Sequence, residues 1–322
     1  MPNLMTHKIF GEDVSQLVNE NIQKYIEAYP QAFSVGTSGP DFLFYHSKLP
    51  WQNQKEGKKV RSIGSVIHER NINEWYRVAI DSCIKENDEY LKPVMISFLI
   101  GHITHWGLDH STHPFIFYRT NGTTKDTKYW HYRYESMLDT VMVNNYRKTS
   151  IKNYKSQEIL KTNDQIEDAI YEVYKDACKV AHNVDFQHKY VLQSFHDAQT
   201  ILDILYDPSG YRFKAVRLLE RVINKNWTFS SHIVTDKVND DEDVLNLNNH
   251  LWKNPAKPSF TSNESFLDLY YRAIDVTVLV LNELDLVLKG KPMDDLLALI
   301  NNKSYETGLS EYYPMLEYKS IY

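Results

Sequence analysis

A histidine and a carboxylate four residues apart can close on one metal ion, because at 100° per residue they sit one helical turn apart and about 40° around the axis. The chain holds two such pairs in succession: His105 with Asp109 in GHITHWGLDHSTHP (101–114), and His131 with Glu135 in KYWHYRYE (128–135). His113 extends the first line by another turn. Pro114 signals that the helix is ending there, which would let His113 swing toward a neighbouring ion. His110 points about 140° from His105 and is the weakest candidate of the group. A histidine–acid pair at this spacing is also an ordinary helix salt bridge, so neither pair decides alone. Two pairs on consecutive helices, with His113 between them, favour a metal site in a bundle core. Imidazole and carboxylate without thiolate suit zinc ahead of manganese or iron.

The elements that must carry these residues are read from hydrophobic spacing. Helical periodicity runs over about 13–28, 65–84, 91–109 and 127–146, then 164–181, 190–205, 211–223, 264–288 and 292–300. Stretches 31–40, 120–124, 229–242 and 254–263 carry turn and polar residues and are expected to be loops. No alternation suggests a sheet, so an all-α multi-helix bundle is expected, one domain over 1–322. Its metal motifs lie within 1–140, and a helical C-terminal half, 147–322, is available to cover the site. Residues 147–163 suit an interhelical connection better than a domain boundary, and the 229–242 loop is long enough to reach over a cleft.

A chain of 322 residues can bury a sufficient core without staples, so a metal would serve chemistry rather than folding. Cys83 and Cys178 are far apart and form no thiol metal spacing. The N-terminus lacks a secretory pattern, and the apolar stretches 94–103 and 276–288 are too short or too charged to span a bilayer. A cytoplasmic protein is expected. A formal charge of −6 without a basic block argues against a stable complex with long nucleic acid.

In the order of its motifs the sequence resembles the zinc-dependent phospholipase C family, whose all-helical fold is shared with zinc nucleases of single strands. The family's early histidine is matched by His7 in THKIFG, its loop aspartate by Asp41 in SGPDFLFY, and the next histidine by His68 in VIHER. His105 with Asp109, the trailing His113, and His131 with Glu135 complete the order. The resemblance implies one ion held by Asp41, His68, His105 and Asp109, and a second by His113, His131 and Glu135. A third position, at His7 and a bridging Asp109, is left open. Secreted members complete it with an N-terminal tryptophan, and this sequence begins Met1-Pro2. His113 also follows Asp109 more closely than in secreted members, so the local turn is expected to differ.

The implied chemistry is hydrolysis of a small-molecule or lipid phosphate ester by water activated at zinc, with Asp41 orienting or deprotonating it. No residue stands out as the leaving-group acid. A nuclease or nucleotide phosphatase on the same fold, and a noncatalytic metal-binding protein, are the alternatives. His102 and Asp139 share the inward faces and are candidates to orient the ligands. Trp106, Phe115, Trp130 and Tyr134 either line a pocket for an organic group or pack the core. His182, His188, His196, His232 and His250 carry no recognisable spacing.

Overall fold

The computed structural model describes residues 4–120, 128–225, 227–236, 238 and 243–315. Helices dominate, in the order α1 (Leu4–Ser15), α2 (Glu20–Ala28), α3 (Pro30–Gly36), α4 (Gln54–Glu69), α5 (Ile72–Lys85), α6 (Leu91–Thr120) and α7 (Lys128–Val141). There follow α8 (Ser156–Ile159), α9 (Asp164–His182), α10 (His188–Leu205) and α11 (Tyr211–Val222). A hairpin of β1 (Trp252–Asn254) and β2 (Lys257–Ser262) precedes α12 (Phe266–Leu288) and α13 (Asp294–Ile300).

The organising element is α6, whose apolar residues run all round its surface and are buried on every side. Helices α1, α3, α9 and α12 pack around it. The all-α reading holds, with local corrections. The expected 13–28 helix breaks at Asn19, whose side chain accepts from the amides of Asn21 and Ile22 and starts α2 afresh. The expected 65–84 helix breaks at Asn71, which adopts φ 56°, so His68 sits near the end of α4 rather than at a helix start. Residues 31–40, expected as a loop, hold most of α3 and the start of a 3-10 turn over Gly39–Tyr45. Tyr29 and Pro30 start that helix, and Pro at its first position needs no amide partner.

The expected loop 254–263 contains β2, which pairs antiparallel with β1 through Trp252 opposite Ser262 and Lys253 opposite Thr261. The pair is short, and Trp252 packs it against Phe115 of α6, a contact no local pattern signals. In the other loop readings, 121–124, 237 and 239–242 lie outside the described residues.

Pro114 does not end α6, which continues one and a half turns to Thr120. A proline frees the carbonyl four residues earlier, here that of His110. Gly308 packs against that carbonyl with φ +64°, and a Cβ there would collide with it. That carbonyl is thus covered by a residue near the C-terminal end of the described chain.

Candidate metal centre

Five elements converge on one buried network. From α1, Nε2 of His7 lies 3.1 Å from Oδ1 of Asp109. From α4, Nε2 of His68 lies 3.1 Å from Oδ1 of Asp41, which the Gly39–Tyr45 turn presents, and 3.9 Å from Oδ2 of Asp109. Gly39 makes that turn at φ +53°, directly against the His105 ring, where a Cβ would collide with the imidazole. On α6, Nε2 of His105 is 3.0 Å from Oδ2 of Asp109, and Nε2 of His113 is 3.4 Å from its Oδ1. Glu135 on α7 completes the set, its Oε1 3.1 Å from His131 Nε2 and 3.7 Å from His113 Nε2.

All eight sequence candidates therefore meet. His113 does so without swinging away, because α6 persists and keeps it one turn beyond Asp109 on the same face. His7 is inside α1, not ahead of a helix. Two tighter groups stand out within the network, His7 with His105 and Asp109, and Asp41 with His68 and His105.

In four of the five histidines the far ring nitrogen is tied back to the scaffold, which turns Nε2 inward, while Nδ1 of His7 is buried without a hydrogen bond. Nδ1 of His68 donates to the Gly64 carbonyl (2.8 Å), Nδ1 of His105 to that of Thr37 (3.1 Å), and Nδ1 of His113 to that of Tyr305 (3.1 Å). His131 Nδ1 faces the Thr120 hydroxyl at 3.2 Å. Asp139 acts one step further out: its carboxylate accepts from the Met5 amide (3.2 Å), the Thr6 amide (2.9 Å) and the Thr6 hydroxyl (2.7 Å), pinning the first turn of α1 that carries His7. Asp139→Ala is expected to lower stability by about 1–3 kcal/mol in urea denaturation. Zinc affinity, measured by competition with a chelator, should fall about 10–100-fold.

Both oxygens of Asp109 and Nε2 of His105 are buried without an aligned hydrogen bond, and buried carboxylate oxygens left so are costly. A divalent cation among them answers that cost, and the all-imidazole and carboxylate donor set fits zinc. Electrostatics agree. Burial opposes ionisation of Asp109, but His113, His105 and His7 outweigh it and hold the carboxyl well below its usual range. Glu135 is held low against burial by His131 and His113. Burial would lower His113, yet Asp109 and Glu135 raise it to about 9. In the metal-free chain His113 is thus protonated at neutral pH and must lose its proton to become a ligand. Metal affinity should accordingly rise with pH and level off above about 9. Calorimetric zinc titrations in buffers of different ionisation enthalpy should report the released proton.

The network opens into a cavity of about 240 Å³, lined by ligand candidates and by residues the sequence did not single out. Phe44, Phe117 and Tyr132 form its apolar part, Lys48 stands at an exposed position, and Glu306 enters from the C-terminal segment. Burial pushes the Glu306 carboxyl up, against His68 and His113. Nothing in the spacing around Glu306 marks it, because only the tertiary path of the chain brings it here.

The remaining candidates are structural. His110 donates Nδ1 to the Trp106 carbonyl, and His102 sits between the hydroxyls of Tyr76 and Tyr174, away from the ligands. Trp106, Phe115 and Tyr134 are buried packing residues, Trp130 meets Trp227, and none of the four lines the cavity. Residues 230–232 of the expected covering loop pack on α7, with His232 against Tyr132. Residues 304–306 also lie against the network: the Ser304 hydroxyl and the Tyr305 amide both donate to the His68 carbonyl.

A family model for zinc dependent phospholipase C matches residues 6–184, a span that contains every one of the eight converging side chains. No curated protein and no solved structure matches the chain.

Proposed function

The chain belongs to the zinc-dependent phospholipase C family, and we propose that it hydrolyses phosphate esters, as a phospholipase C-like phosphodiesterase, at the centre built on Asp109. The observation that carries this reading is the sharing of one buried carboxylate among four imidazoles, His7, His68, His105 and His113, beside the separate pair His131 and Glu135. We assign Asp41, His68, His105 and Asp109 to one zinc ion and His113, His131 and Glu135 to a second, with His7 and Asp109 available to a third. Zinc in these positions supplies Lewis acidity and water that ionises near neutral pH. Two buried, separate thiols, Cys83 and Cys178, suit the reducing cytoplasm as its compartment.

The side chains divide the remaining work. Asp41 is half-buried at the cavity wall, and against burial its hydrogen bond to His68 keeps its carboxyl low and ionised. It accepts the proton of the attacking water as the water oxygen bonds to phosphorus. Lys48 offers a cation to the phosphoryl oxygens at the mouth. Glu306, whose carboxyl is pushed up where that of Asp41 is held down, gives its proton to the leaving oxygen as the P–O bond breaks. Environments that separate two carboxyls in this way support a base at Asp41 and an acid at Glu306.

Glu306→Gln is expected to lower kcat about 10²-fold or more on an alkyl phosphodiester. With a nitrophenyl leaving group, which departs without a proton, the loss should nearly vanish. The reading as a whole is tested by assaying zinc-replenished protein against phosphodiesters and phosphomonoesters of lipid, nucleotide and simple alkyl type. Turnover abolished by chelator and restored by zinc supports it. No turnover of any member overturns it.

A further inference from the structure

Helix α11 carries its polarity inside out. Its inward side is charged: Glu220 is buried and accepts from the amides of Trp227 (3.2 Å), Phe229 (2.7 Å) and Ser230 (3.0 Å), and from the Ser230 hydroxyl (2.6 Å). Arg217 pairs with Glu220 at 3.0 Å and lies 3.7 Å over the Trp227 ring. The outward side is apolar. Tyr211 is 77% exposed, Leu218 63%, Leu219 62% and Val222 76%, and Ile223 and Phe229 just beyond are 55% and 59% exposed. At 100° per residue Tyr211, Leu218 and Val222 fall within about 40° of one another, so they form one stripe. A helix facing water carries the reverse pattern, and large apolar residues grouped in this way mark an interaction surface.

The charges around the stripe indicate what covers it. Lys214, Arg221 and Lys225 are exposed and make no ion pair among the described residues. The only acid between 210 and 229 is Glu220, which is turned inward and neutralised. This local excess of cations belongs to a chain whose net charge is −6, so composition does not explain it. Exposed apolar side chains flanked by unpaired lysine and arginine match the boundary between acyl chains and anionic headgroups.

We propose that the outward face of α11 docks the protein on an anionic phospholipid surface. The helix is mounted on α7, whose Arg133 lies 4.9 Å over the Phe213 ring and 5.7 Å over that of Trp227. The same α7 carries His131, Tyr132 and Glu135 of the cavity. Arg133 stands about 160° around α7 from His131 and Glu135, so docking holds the candidate metal centre one helix back from the lipid surface. The surface stands on its own observations, while its use in catalysis rests on the phosphate-ester reading above.

The test is cosedimentation of the full chain with phosphatidylcholine vesicles, with and without phosphatidylserine, alongside turnover of a soluble short-chain phosphodiester. The protein should partition at least about tenfold more strongly onto the phosphatidylserine vesicles, and added salt should weaken that binding. The double variants L218S/V222S and K214E/R221E should each lose about tenfold in partitioning. Both should keep the turnover of the soluble ester. Vesicle binding without any turnover would sustain the docking surface and sink the hydrolase reading. Absence of vesicle binding, or variants that bind like the parent, overturns the proposal. So does a dimer that L218S/V222S dissociates, because a second copy would then be the occupant.

Discussion

Asp109→Ala is expected to reduce hydrolysis by about 10³-fold or more and to leave the purified protein without the zinc assigned to Asp41, His68, His105 and Asp109. Asp109 is fully buried, and one oxygen faces His7 and His113 while the other faces His105 and His68. It belongs to the ion assigned to Asp41, His68 and His105 and is available to a third, so its removal disables both of those positions, while His113, His131 and Glu135 keep theirs. Asp109→Asn separates charge from shape. It keeps the volume and one oxygen, so circular dichroism should report an intact helical fold, whereas metal content should still fall to at most one ion per chain. An Asp109→Asn protein that held its full metal complement would show that the carboxylate is only a partner of neighbouring histidines.

Asp41→Asn should behave differently, because Asp41 stands at the edge of the network, paired with His68 and near His105. The ion assigned to His113, His131 and Glu135 has no contact with it and should remain. The expected result is a loss of about 10²–10⁴ in kcat with at least one zinc retained per chain. Loss of activity in step with loss of all metal would instead make Asp41 purely a ligand. Separating the two needs metal analysis and kinetics on the same sample.

The chemistry of this protein is legible in its sequence where it is local. His105 with Asp109 and His131 with Glu135 could be read because helix geometry fixes what lies four residues away. His7, Asp41 and His68 carry no such spacing, and only the resemblance of motif order pointed to them. Their convergence depends on α1, the Gly39–Tyr45 turn and α4 packing around α6. Pro114 misled because α6 runs on past it to Thr120, and what packs on the His110 carbonyl that it frees is Gly308, almost two hundred residues later. Glu306 and Lys48, which line the cavity, and the Tyr305 carbonyl, which holds His113, were invisible for the same reason, since only the tertiary fold brings each there. The 54–64 part of α4 was hidden by its charge, its apolar residues being too sparse to register as a stripe before Val60 and Ile63.

The central claim is that the eight side chains hold zinc. Anomalous scattering from crystals of the protein grown with zinc, recorded on both sides of the zinc edge, tests it most directly. Two peaks are expected, one among Asp41, His68, His105 and Asp109 and one among His113, His131 and Glu135, with metal–ligand distances near 2.0–2.2 Å. Zinc absent from both positions, or bound only at surface histidines such as His188 or His196, would contradict the account.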